Sequence, residues 1–184
     1  MRSWADHGRS AHPAWPGQTG QVDVLATLDL GPAPVTLRRA VSDDLTAIVG
    51  LLAADELGAT RDGISTAGDL LAYRRAFEAI DSDPAHILVV AQAGEDVAAT
   101  MQLSFIPGLA RRGALRAQIE AVHVHHAYRG RGLGGAMFAW AIGEAKRRGC
   151  ALVQLTSDKS RPDAHRFYHR LGFIASHEGL KLAL

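Results

Sequence analysis

The 184-residue chain is 47% hydrophobic and 21% charged, the make-up of a soluble globular domain and long enough for one good core but short for two. No apolar run approaches the roughly 18 residues that cross a bilayer, so neither a spanning helix nor a membrane partner is expected. MRSWADHGRSAHPAWPGQTG lacks the continuous apolar stretch of a signal peptide, and the single Cys150 cannot close an internal disulfide, which together point to a reducing cytoplasm. The net charge of +1 is unevenly placed: residues 1–110 carry 7 basic and 14 acidic side chains, residues 111–184 carry 13 and 5. Such a basic half suits a polyanionic ligand, either a phosphorylated cofactor or a nucleic acid.

Residues 1–34, rich in proline and glycine, read as an N-terminal extension in which Trp4 and Trp15 either dock on the body or belong to a free tail. The main domain then runs over 35–184. VTLRRA is a short strand, and Ser42 with Asp43 and Asp44 caps a helix to about Ala54. Ser65 or Thr66 caps a second helix whose stripe of Leu70, Leu71, Phe77 and Ile80 ends near Asp81. HILVVAQ and VAATMQLSFI form a hairpin turning at Gly94, and IPGLARRGAL is a loop.

In LRAQIEAVHV (115–124) the apolar residues fall at odd positions up to Ala121 and then at even ones, Val122 and Val124. One extra residue in a strand exchanges its two faces in this way, so the pattern predicts a β-bulge. A strand buried on both faces would also blur the alternation. Leu133, Met137, Ala141 and Ala145 stripe a helix closed by Gly149. CALVQLTSD is a buried parallel strand, Pro162 opens a helix striped by Ala164, Phe167 and Leu171, and GFIASHEGLKLAL is a final strand pair. The order β-α-α-β-β-β-α-β-α-β makes a single α/β domain, a mixed central sheet flanked by helices.

Between bulge and helix lies YRGRGLGG, which contains Gly-x-Gly-x-x-Gly at Gly130, Gly132 and Gly135. A dinucleotide fingerprint would open the first βαβ unit and be followed by more of them. Asp158 sits where the ribose acid belongs, yet only 26 residues follow it. The strand-to-helix glycine turn instead gathers backbone N–H groups at a positive helix end, a generic cradle for pyrophosphate.

These residues resemble the GCN5-related N-acetyltransferases, whose Arg/Gln-x-x-Gly-x-Gly/Ala motif reads here as Arg129-x-x-Gly132-x-Gly134 after a bulged strand. HRFYHRLGF adds the family's Tyr before a Leu-Gly-Phe turn; His126 departs from a frequent proline. The resemblance runs from about Val35 to Leu184, and the tail DAHRFYHRLGF…SHEGLKLAL is similar to bacterial members acting on small amines, among them aminoalkylphosphonate acetyltransferases. It implies that acetyl-CoA is the cosubstrate. The pantetheine arm would lie along Val122, His123 and Val124 in a wedge opened by the bulge, and the pyrophosphate on the amides and charges of Arg129, Gly130, Arg131, Gly132, Leu133, Gly134 and Gly135.

By the same resemblance the reaction is direct attack of an amine on the thioester. Glu120, the sole acid between residues 97 and 143, is the expected base. Its alternative is an ion pair with Arg116 or another arginine. Tyr168 is the expected acid for the leaving sulfur, its alternative a partly buried aromatic. His123, His125 and His126 lack a third ligand at zinc-like spacing, and no metal is expected. The acceptor is read as a small-molecule primary amine, selected by residues 43–81 and by IPGLARRGAL. The competing readings are a peptide or protein N-acetyltransferase and a non-catalytic acyl-CoA sensor. Aromatics are too sparse among the basic residues to expect nucleic acid. Oligomeric state stays open; a homodimer through the C-terminal strands or the tryptophan-bearing tail is compatible with the sequence.

Overall fold

The computed structural model describes residues 22–31, 33–54 and 57–183. Its six-stranded sheet follows chain order: β1 (Val24–Leu28), β2 (Val35–Arg39), β3 (His86–Ala93), β4 (Asp96–Pro107), β5 (Leu115–Val124) and β6 (Leu152–Leu155). Every pairing is antiparallel except β5 with β6, which is parallel because a helix crosses between them. Helices α1 (Leu45–Leu52) and α2 (Ala67–Ser82) cover one face; α4 (Leu133–Arg147) and α5 (Pro162–Arg170) lie toward the other, and α3 (Ala110–Gly113) is a single turn. This is the expected mixed α/β arrangement.

Strand alternation divides the core in two. Ala99, Met101, Leu103 and Phe105 of β4, with Ala117 and Ile119 of β5, pack against Leu133, Met137, Phe138, Ala141 and Ala145, the stripe expected of α4. On the opposite face Leu45, Ile48 and Phe77 of the helix pair meet Leu88 and Val90. Thr66 caps α2, its hydroxyl accepting the Asp69 N–H at 3.2 Å while Asp69 accepts the Thr66 N–H at 2.8 Å.

Three expectations change. Val24–Leu28, inside the segment read as an extension, pairs with β2 as an edge strand; it lies in VDVLATLDL, the one stretch of that segment with any period, which the surrounding proline and glycine outweighed. Trp4 and Trp15 lie outside the described residues. Ser42 does not cap the first helix: the Asp44 carboxylate accepts the Val41 N–H at 2.7 Å and binds Arg38 through two contacts of 2.6 and 2.8 Å. That buried pair is completed by Arg38 Nε donating to Gln92 at 2.7 Å. The third change is at the end of the chain, where residues 173–183 form no strand. Ile174, Leu180 and Leu182 are 83, 93 and 87% exposed, so the alternation of LKLAL finds no apolar surface to bury one face against. Gly179 instead comes close to Thr156, and Lys159 pairs loosely with Glu178 at 3.7 Å.

Candidate active site

The predicted bulge is present. His123 pairs with Thr100 and Glu120 with Gln102, so three steps along β5 oppose two along β4. Ala121 absorbs the extra residue at φ 52°, in the left-handed region where a side chain costs about 1–2 kcal/mol. Directly paired residues share a face, so Glu120 and His123, three apart, both project on the face of α1 and α2. In a regular strand they would point to opposite sides.

The bulge also ends a pairing. β5 and β6 run in register from Arg116 with Leu152 to Ile119 with Leu155, and β6 stops there while β5 continues to Val124. Residues 120–124 therefore turn one edge to a gap between the two strands. At its far end Arg129 folds back, its Nε donating to the Val124 carbonyl at 2.9 Å.

The glycine loop follows directly. Gly130 (φ 75°) and Gly132 (φ 82°) hold left-handed conformations, and Gly132 is the N-cap of α4. The first N–H groups of α4 have no partners within the helix and sit at its positive end. A Cβ on Gly134 would lie 3.5 Å from Phe167 and 3.8 Å from Val124, so a small residue there lets α4 approach both β5 and α5. The loop is also tethered to the β3–β4 turn, because the Tyr128 hydroxyl donates to Asp96 at 2.9 Å. This tether joins residues far apart in sequence, and nothing in the local pattern announces it. Together these features suit a phosphorylated ligand with an extended amide arm: free amides for the phosphates, and an open strand edge for the arm.

Tyr168 projects from α5 into an aromatic group, its ring 5.6 Å from Phe138, 5.5 Å from Phe167 and 6.1 Å from Phe173. Burial pushes its pKa above the ordinary value, with Arg161 pulling partly back. Its hydroxyl has no hydrogen-bond partner among the described residues. Glu120 is exposed and makes no ion pair among the described residues, so the pairing with Arg116 does not form. Among the described residues no three His, Cys, Asp or Glu side chains gather around a point where an ion would sit. The Cys150 thiol is raised by burial, which disfavours the thiolate a nucleophile needs.

Two regions expected to select the acceptor separate. Pro107 pairs with Leu115, so the IPGLARRGAL turn, where Arg111 and Arg112 adopt left-handed φ of 55° and 60°, caps the start of β5. Five residues of strand then put it roughly 17 Å from Glu120. The helix pair is near. A cavity of about 160 Å³ lies between α1, α2 and the sheet, walled by Ile48, Leu52, Phe77 and Ile80, with Gln102 and Ala121 at its sheet end. These side chains read as core stripes in the sequence, which gave no sign that they leave a space.

The chain matches the acetyltransferase (GNAT) family over residues 54–173 and belongs to that family, whose cosubstrate is acetyl-CoA. It is 38% identical over 69 residues to the aminoalkylphosphonate N-acetyltransferase of Salmonella typhimurium, a match covering 30% of this chain and 45% of that protein, less than half its length. Among solved structures, a protein of Bacillus halodurans C-125 described as a transcriptional regulator superimposes with a TM-score of 0.77 at 47% identity, covering 82% of this chain and 99% of that one. A putative acetyltransferase from Agrobacterium tumefaciens str. C58 gives a TM-score of 0.70 at 28% identity, over 80% and 99%.

Proposed function

We propose that this protein transfers the acetyl group of acetyl-CoA to the primary amine of a small molecule by direct attack. The observation that carries this reading is the bulge at Ala121, which sets Glu120 beside the point where β5 parts from β6, directly upstream of the glycine loop. The amides from Arg129 to Gly135 would hold the pyrophosphate, and the β5 edge beyond the end of its pairing with β6, at Val122, His123 and Val124, would pair with the pantetheine arm as an added strand does. Acetyl-CoA, when bound, supplies an activated thioester carbonyl. Glu120 takes the proton that the ammonium must shed, directly or through one water. Tyr168, kept protonated by its apolar surroundings, gives a proton to the departing sulfur. A cytoplasmic setting fits the free thiol of Cys150, and the exposed Ile174, Leu180 and Leu182 would supply apolar surface to a homodimer.

A second reading has one observation in its favour. The 47% identity to a protein described as a transcriptional regulator fits a chain that binds acyl-CoA and signals without turning it over. Release of CoA from acetyl-CoA, followed across a panel of primary amines with calorimetry of acetyl-CoA alone, separates the two. Binding with amine-dependent release is the expected result; binding without release from any amine would make the protein a sensor, and no binding would remove both readings.

A further inference from the structure

We infer that the acceptor amine carries a compact apolar group, one aromatic ring or a branched chain of similar size, which the cavity under α1 and α2 receives. The inference rests on the acetyltransferase reading and names its substrate class. The cavity is half open to solvent and measures about 160 Å³, close to the roughly 150 Å³ that holds one benzene ring when lined by leucine, isoleucine and phenylalanine. Its walls are of that kind: Ile48 and Leu52 from α1, Phe77 and Ile80 from α2. Among the described residues no charged side chain lines it.

Its place in the fold gives it a task. The sheet end is formed by Gln102 and Ala121, and Glu120 is both the register partner of Gln102 and the neighbour of Ala121. Paired residues share a face, so the carboxylate stands on the side of the sheet from which the cavity opens. A ligand with its apolar end in the cavity and a short linker to nitrogen would bring an ammonium toward that carboxylate. The strained backbone of Ala121 therefore serves two ends: it turns Glu120 and His123 to one face, and it forms part of the cavity wall.

The rim is preformed. The ring of Tyr73 lines the cavity, while its hydroxyl donates to Asp62 at 3.0 Å and accepts the Gly63 N–H at 3.2 Å, holding the segment before α2 in place. Ala76, exposed on α2, lies at the opening.

The test titrates ethylamine, 3-methylbutylamine, 2-phenylethylamine and 2-aminoethylphosphonate into the full chain saturated with CoA, where no acetyl group can move. Affinity is expected to rise about four- to tenfold per added methylene, 2-phenylethylamine binding at least tenfold tighter than ethylamine with a negative heat-capacity change. Ala76→Phe, an exposed helical position where folding is safe, should erase that difference without altering the affinity for CoA. Equal affinities for ethylamine and for both larger hydrocarbon amines, tighter binding of the phosphonate, or an unchanged preference in Ala76→Phe would overturn the inference. Acetyl transfer is read separately as CoA release from acetyl-CoA. Acetylation of the phosphonate alone defeats the inference and leaves the enzyme standing, whereas an apolar preference in binding with no release from any amine defeats the enzyme and leaves the cavity's role intact.

Discussion

The two faces of the central sheet are built from the same strands and treat their side chains in opposite ways. Toward α4 the residues from Met101 and Leu103 to Phe138 are fully buried, tightly packed and without a polar group among them. Toward α1 and α2 the strands present Thr100, Gln102, Ser104, Glu120 and His123, and the helices leave a cavity. One face is core throughout, whereas the other combines a second, smaller core with the candidate site. The bulge couples them, since one added residue in β5 keeps Val122 and Val124 in the first core while moving His123 beside Glu120.

That contrast can be broken from either side. The largest effect is expected from the packed face: Phe138→Ala removes a ring of 0% exposure and should cost about 3–5 kcal/mol of unfolding free energy, a large part of the total for a domain of this size, as read by urea denaturation. Glu120→Gln on the other face should leave stability within about 0.5 kcal/mol, because the side chain is exposed and unpaired among the described residues. Its kcat/KM should nonetheless fall by about 10²–10³ with acetyl-CoA affinity unchanged, and full turnover at every pH would exclude the base assignment. Gly134→Leu probes the seam between the faces: a side chain directed at Phe167 and Val124 should cost about 1–3 kcal/mol by overpacking and weaken acetyl-CoA binding in calorimetry as the start of α4 is displaced.

The smallest effect is expected at Tyr168. Tyr168→Phe keeps the aromatic packing and should lower kcat about a hundredfold, the low end for loss of a general acid, with little change in stability. The sign of its pH dependence follows from burial. A phenol whose pKa is raised stays protonated past the usual value of about 10, so activity that needs its proton persists to higher pH and is lost only as pH climbs through the raised pKa. The stability linked to this group is likewise present below about pH 10 and declines above it. A wild-type rate profile with that alkaline limb, absent from Tyr168→Phe, is the expected outcome. An unchanged rate would leave the residue as packing alone.

What could be read from the residues was local. The exchange of apolar positions at Ala121 announced the bulge because strand alternation has a period of two and any slip shows at once. The Thr66 cap and the α4 stripe were legible for a similar reason, each being complete within a few residues. The remainder depended on partners distant in sequence. Arg38 reaches Gln92 and Tyr128 reaches Asp96 across intervals that no window spans. The failure of 173–183 to form strands turns on the absence of a surface to lie on, which composition does not report. The cavity was invisible because Ile48 and Phe77 look the same in sequence whether they touch or stand apart.

The sheet begins thirty residues before the family match does, at Val24 against residue 54. Trimming the polypeptide to the matched span would strip β1 and β2 from the outer border, sever Arg38 and Asp44 together, and leave the backbone groups of the apolar β3 bare to solvent. An unprotected border of that kind recruits other chains edge to edge. The shortened version should therefore clump rather than fold, so the smallest workable form of this protein starts well upstream of residue 54.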